Sequence, residues 1–214
     1  MEESIGLPFY FEIPVTGQRV DDAGSAALAL ALLLPLSRGG DAGAPAGWWR
    51  ELQVRDLRGA PLNPDGRWFV VIFLGQECPV SNASIPALNA LASEFSPKGF
   101  AFVGAYVDPT VGLDVFQAHA RDYAIGFPTA DDRGHRLARA AGAAYTPEAA
   151  VFSSAGARLY LGRIDDRVGE SGAARPAATH QDLRDVLVAL ASGAAGPFRE
   201  VTGYGCTIPE EVHP

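Results

Sequence analysis

Cysteine is scarce in this 214-residue chain, which carries only Cys78 and Cys206. Two thiols are too few for a disulfide scaffold and too few for a four-thiolate zinc site. They leave open one disulfide, or one reactive thiol beside a bystander. Basic clusters are also missing. Lys98 is the one lysine among 17 basic residues, the arginines are scattered, and the net charge is −8 with a pI near 4.9. Such a chain has no electrostatic footprint for nucleic acid or an anionic membrane surface, so neither DNA nor RNA is expected as a partner. Membrane-length apolar runs are lacking as well: AALALALLLPL, residues 26–36, falls far short of the roughly 20 residues needed to cross a bilayer. Hydrophobic residues themselves are plentiful, at 48% against 20% charged, which excludes a wholly disordered chain.

The run at 26–36 fits the apolar region of a secretory signal, and Ala42-Gly43-Ala44 and Ala44-Pro45-Ala46 offer small-residue cleavage patterns after it. The stretch before it is acidic (Glu2, Glu3, Glu12, Asp21, Asp22) where a signal carries positive charge. A translation start later than Met1 would remove that conflict. Residues 1–46 are therefore expected to be an N-terminal extension acting as signal or anchor, with the protein periplasmic or otherwise extracytoplasmic. The alternative is an Ala/Leu helix packed on the domain, with the protein cytoplasmic. Membrane contact is expected only through such an anchor.

From Trp48 the texture changes. Glu51 to Leu57 alternates polar and apolar, the period of a half-buried strand. Residues 68–74, WFVVIFL, read as a central parallel strand buried on both faces. Pro79 opens a helix whose Ile85, Leu88, Leu91 and Phe95 share one face. Phe100 to Val107 is a second buried strand, 112–124 a helix, Phe127 to Thr129 a short strand, and Arg133 to Ala141 a short helix. Ala149 to Ser153 and Arg158 to Ile164 form a hairpin around Ser154-Ala155-Gly156. A last helix is expected from Thr179, as N-cap, to Ala191. Alternating strands and helices with a late hairpin predict an α/β three-layer sandwich with a mixed central sheet and flanking helices. Its expected bounds are 47–196, followed by a tail, 197–214, that carries Cys206.

Cys78 falls where the most hydrophobic strand ends and a helix begins, in Leu74-Gly75-Gln76-Glu77-Cys78-Pro79-Val80-Ser81-Asn82. Sites in α/β sheets form at the carboxyl ends of strands. Unpaired backbone N–H groups at a helix N-terminus favour thiolate over thiol, while the adjacent Glu77 opposes it. Pro79 costs nothing at the first helical position. Ser81 is placed to aim its hydroxyl at the sulfur.

Glu77-Cys78-Pro79-Val80-Ser81-Asn82 after VVIFLG resembles the active-site segment of the thioredoxin-like redoxin (AhpC/TSA) superfamily, and most of all a bacterial branch with a Cys-Pro-x-Ser-Asn motif. Thr146-Pro147 resembles the cis-proline loop that faces the reactive cysteine in thioredoxin folds. Gly162-Arg163-Ile164-Asp165-Asp166-Arg167 and Gly205-Cys206-Thr207-Ile208-Pro209 resemble that branch too. The resemblance implies a thioredoxin-like fold, Cys78 as nucleophile, and Pro79, Thr146 and Pro147 as the surface presented to an incoming polypeptide disulfide. No cofactor is implied. The partner would be a protein thiol or disulfide, or an electron donor.

Three positions depart from the wider superfamily. Ser81 stands where thioredoxins carry a second cysteine, and Asn82 where copper chaperones carry theirs. Gly75 replaces the Thr or Ser of the peroxidase branch, and Arg163 is the nearest substitute for its activating arginine. The implied reaction is thiol–disulfide exchange, with Ser81 shaping the site and Cys206 as candidate resolving thiol if the tail folds back. Cys206 serving the tail alone, or pairing with another molecule, stays open. A copper carrier using Cys78, Cys206 and one histidine, or a thiol-dependent peroxidase, are the alternatives, and no standard metal-binding spacing is present. His119 is expected to be a partly exposed helix residue, and His135 and His180 to be solvated beside turns. His213 matches no zinc spacing. Asp165-Asp166-Arg167 reads as a solvated or ion-paired turn.

Overall fold

The computed structural model describes residues 48–169 and 173–210. The 26–36 run and its cleavage patterns, and His213, lie outside the described residues. A six-stranded mixed sheet forms the centre, built from β1 (Arg55–Asp56), β2 (Trp68–Leu74), β3 (Phe100–Tyr106), β4 (Thr129–Asp131), β6 (Glu148–Ser153) and β7 (Arg158–Gly162). Its order is β1-β4-β3-β2-β6-β7, with β2, β3 and β4 parallel and the others antiparallel to their neighbours. A separate two-stranded ribbon joins β5 (Tyr145–Thr146) to β8 (Cys206–Thr207).

The central strand shows why three layers form. All seven residues of β2 are buried, and they alternate between two cores. Val70, Ile72 and Leu74 point to the side covered by α2 (Pro79–Phe95), α3 (Leu113–Asp122) and α5 (Asp182–Ala191), meeting Leu88, Phe116 and Leu187. Phe69, Val71 and Phe73 point to the other side, against Trp49 of α1 (Trp48–Glu51) and Leu137 and Ala141 of α4 (Arg136–Ala141). Strand alternation supplies both faces from one run of apolar residues, and each large side chain so buried contributes on the order of 1.5–3 kcal/mol.

Two local expectations are corrected. The stretch from Glu51 to Leu57 yields only the two-residue β1, because Trp49 is buried from a short helix and Gln53 takes a left-handed φ of 50° that breaks the extension. Thr179 does not cap α5. Gln181 holds that position, and the Thr179 hydroxyl and N–H are both committed to Asp166.

Parallel pairing of β2 with β3 runs Trp68↔Phe100 to Leu74↔Tyr106, so both strands end at the same edge. The chain leaves β2 into α2 there, and leaves β3 toward α3 there. This carboxyl edge is where the chemistry-bearing side chains collect.

Candidate active site

Cys78 is the N-cap of α2, with an extended backbone (φ −77°, ψ 112°), and its carbonyl accepts the first helical bond from Asn82 N–H at 2.9 Å. Pro79 follows at the first helical position, where a missing N–H is harmless. The residue is only 3% exposed. Its Sγ lies 3.1 Å from the carbonyl oxygen of Thr146, to which the thiol donates. The Thr146-Pro147 bond is cis.

The two cysteines meet at this carbonyl. In the β5–β8 ribbon Thr146 stands opposite Cys206, and the Thr146 hydroxyl donates to the Cys206 carbonyl at 3.4 Å. Both cysteines are free, Cys78 buried and Cys206 exposed. Burial pushes the Cys78 thiol up, but donors outweigh it: the Cys206 thiol, the backbone N–H groups of Ser81 and Cys206, and the Thr146 hydroxyl. The net result is a lowered Cys78 pKa. Cys206, an exposed residue, moves the other way, pushed up to about 11 by partial desolvation of its sulfur and by the neighbouring Cys78 thiol and its charge. The asymmetry makes Cys78 the more acidic of the two thiols.

Ser81 is fully buried, but its hydroxyl oxygen accepts the Gly75 N–H at 3.3 Å, and it is the Ser81 backbone N–H that favours the thiolate. Gly75 leaves the space that Thr146 fills. A Cβ there would lie 2.7 Å from Thr146 Oγ1 and 3.0 Å from Cys78 Cβ. The hydroxyl beside the sulfur therefore comes from the proline turn, across the site.

A chain of buried and half-buried side chains braces this loop from behind. Asn82 donates from Nδ2 to the Gln76 carbonyl at 3.0 Å, His119 Nε2 donates to Asn82 Oδ1 at 2.8 Å, and the Tyr106 hydroxyl donates to His119 Nδ1 at 2.7 Å. His119 is thus 8% exposed rather than a surface helix residue, and burial lowers its pKa and keeps it neutral. Phe116, three positions earlier on the same helix face, is fully buried as well. His135 is also buried, as the N-cap of α4 with Nε2 bonded to the Val107 carbonyl. His180 is exposed as expected.

A cleft of about 220 Å³ opens beside the turn, lined by Val80, Ala83, Pro147, Ile164, Val168 and Tyr204. Arg163 reaches it, but its guanidinium is committed to Asp182 at 2.6 Å. Asp165 pairs with Arg167 at 2.8 Å. Asp166 is buried rather than solvated; it accepts the N–H groups of Thr179 and His180 and the Arg175 guanidinium, and these hold its carboxyl well below the usual range. Among the described residues no group of three or more His, Cys, Asp or Glu side chains converges to hold a metal ion.

A buried helix-capping cysteine facing a cis-proline turn on a mixed sheet defines a thioredoxin-fold redoxin. The chain belongs to the AhpC/TSA family, whose pattern matches residues 45–160 and so includes Cys78, Thr146 and Pro147 but not Cys206. Solved structures agree on the fold. A hypothetical protein from Sinorhizobium meliloti is 26% identical, with a TM-score of 0.63 over 72% of this chain and 88% of that one. An uncharacterized conserved protein from Geobacillus kaustophilus is 23% identical, with a TM-score of 0.64 over 76% and 89%. The bacterioferritin comigratory protein of Xanthomonas campestris, whose alkyl peroxide reduction has been studied, is 20% identical, with a TM-score of 0.50 over 70% and 95%. A search of curated protein sequences found none that matches this chain.

Proposed function

We propose that this protein is a thiol–disulfide oxidoreductase in which Cys78 attacks and Cys206 resolves within the same chain. The observation that carries the reading is the convergence of both free cysteines on Thr146, whose carbonyl accepts from Cys78 Sγ and whose hydroxyl donates to the Cys206 backbone carbonyl. The Cys78 thiolate attacks one sulfur of a partner disulfide. That S–S bond breaks, a mixed disulfide forms, and the other partner sulfur leaves as a thiolate and takes a proton. Cys206 then loses its proton and attacks the Cys78 sulfur, releasing the second partner thiol. The partner disulfide is reduced by two electrons and the Cys78–Cys206 pair is oxidised by two; an oxidised chain meeting a dithiol runs the same steps backward.

Electrostatics supports this order. Two of the three effects that raise the Cys206 pKa, the hydrogen bond to Cys78 and its charge, depend on an unreacted Cys78. Once Cys78 is in a mixed disulfide, that charge is gone and Cys206 ionises more readily. Peroxide reduction is the poorer fit, since Gly75 brings no hydroxyl and Arg163 is held by Asp182. Copper carriage lacks a third convergent donor among the described residues. Exchange chemistry also suits a compartment where disulfides persist, the destination expected for the 26–36 run.

The test is thiol counting and mass analysis after oxidation by a polypeptide disulfide. Wild type should lose both thiols and two hydrogens per chain while staying monomeric under denaturing, non-reducing conditions. Cys206→Ser should instead accumulate a mixed disulfide with the partner, and Cys78→Ser should not react. A wild-type chain that never joins its two sulfurs would overturn the reading.

A further inference from the structure

The tail does more than bring Cys206 to the site. Phe198 N–H donates to the Leu159 carbonyl at 2.7 Å, and Arg163 N–H donates to the Val201 carbonyl at 2.9 Å, tying the tail to the end of β7. At the far side, Ile208 N–H donates to the Ala144 carbonyl at 2.9 Å, and Ile208 packs against the core that contains Trp49 and Leu137. Between these anchors, Gly203-Tyr204-Gly205-Cys206 crosses the Thr146-Pro147 turn. The crossing has no room for side chains facing inward. A Cβ on Gly203 would lie 3.0 Å from Arg163 Cβ, and one on Gly205 would lie 2.1 Å from the Thr146 carbonyl oxygen. Tyr204, between them, stands over the cleft beside Pro147.

The crossing segment pairs antiparallel with β5, so the backbone edge of Thr146 is already occupied by a strand of this chain. That edge leads directly to Cys78, whose Sγ contacts the Thr146 carbonyl and which is almost fully covered. A second extended polypeptide cannot pair with the same edge while β8 is on it, because one strand edge binds one strand. We infer that residues 203–206 are a strap seated in the place of the polypeptide partner, and that they determine which partners reach Cys78. An extended polypeptide carrying a disulfide engages Thr146 and Cys78 only when the strap lifts, whereas a small electrophile needs a far smaller opening. The Val201 anchor keeps Cys206 at hand during such an excursion: five residues span at most about 18 Å fully extended, so the thiol returns once the partner is held. The inference rests on the exchange reading above and deepens it by naming what regulates access to that site.

Gly205 gives a direct test. In a Cys206→Ser background Cys78 is the single thiol, and β8 keeps its backbone pairing. Adding Gly205→Ala drives a methyl group into the Thr146 carbonyl and lifts the strap. Cys78 is then modified with iodoacetamide and, separately, with a polymer-linked maleimide. With the bulky reagent, Gly205→Ala should speed modification by about tenfold or more, as access changes from rare opening to direct attack. With iodoacetamide the gain should be about threefold or less, since a small reagent needs only a small opening. Ile208→Ala in the same background loosens the far anchor without touching the site and should move the rates in the same direction. Urea midpoints within about 0.3 M of the parent would confirm that the domain is intact. Equal bulky-reagent rates in all three proteins would overturn the strap. That outcome is separate from the thiol count in wild type, which alone decides the exchange reading.

Discussion

Removing the Tyr106 hydroxyl and the His119 imidazole, singly and together, tests the brace behind Cys78. Tyr106 is fully buried and its hydroxyl donates to His119 Nδ1 at 2.7 Å. Tyr106→Phe deletes one hydrogen bond and leaves a buried ring nitrogen without a donor, a cost of about 1–2 kcal/mol. His119→Leu orphans the fully buried Tyr106 hydroxyl and also frees Oδ1 of the half-buried Asn82. Together these cost about 2–3 kcal/mol. In the double variant both orphaned groups of the Tyr–His pair are gone, so its cost should fall short of the sum by about 1–2 kcal/mol. At a urea slope of roughly 2 kcal/mol per molar, that coupling is a non-additivity of about 0.5–1 M in the unfolding midpoints. A pH series adds a second readout. The folded state holds His119 neutral below its ordinary range, while the unfolded chain takes up a proton near about pH 6.5. The unfolded state then binds more protons, so the contribution of His119 is complete above about pH 6.5 and is lost as the pH falls below it. The stability gap between wild type and His119→Leu should therefore narrow between neutral and mildly acidic pH. Additive midpoints, or a gap independent of pH, would refute the description of a neutral imidazole clamped between Tyr106 and Asn82.

Cys78 should alkylate with a pH midpoint below that of an ordinary thiol, whereas Cys206 should titrate near pH 11 in the same chain; site-resolved mass spectrometry separates the two. Cys206→Ala should raise the Cys78 midpoint, because the neighbouring thiol donor is lost, and an unchanged midpoint would show that the sulfurs do not interact. Gly75→Ala inserts a methyl 2.7 Å from Thr146 Oγ1 and 3.0 Å from Cys78 Cβ, and should cost about 1–3 kcal/mol by overpacking. The same variant should displace Thr146 from the sulfur and raise the Cys78 midpoint, read by urea unfolding and the alkylation profile.

Much of the architecture was legible locally. WFVVIFL is too apolar for a one-faced strand, so it had to lie between two layers, and it does. Pro79 after Cys78 fits a helix start, because the N–H that proline lacks has no intrahelical partner in the first turn. Failures came where a long-range partner overrides a local preference. Thr179 has the side chain of a helix cap, yet buried Asp166 takes its hydroxyl. His119 has the look of a surface helix residue, yet the end of β3 and the start of α2 close over it. The alternation from Glu51 to Leu57 predicted a strand that a buried Trp49 and a left-handed Gln53 cut short.

The sequence by itself determined that the chain folds as an α/β sandwich and that one cysteine sits at a strand-to-helix junction, because periodicity and capping are properties of neighbouring residues. Only the tertiary structure decided what that cysteine faces. The Thr146 carbonyl is brought to that sulfur, and Cys206 to Thr146, by contacts between residues far apart in the chain. The scarcity of cysteine left a disulfide and a lone reactive thiol equally open, since spacing along the chain carries no distance information between residues so far apart. The β5–β8 ribbon supplies that distance, and with it the reason the two glycines flanking Tyr204 have no side chains.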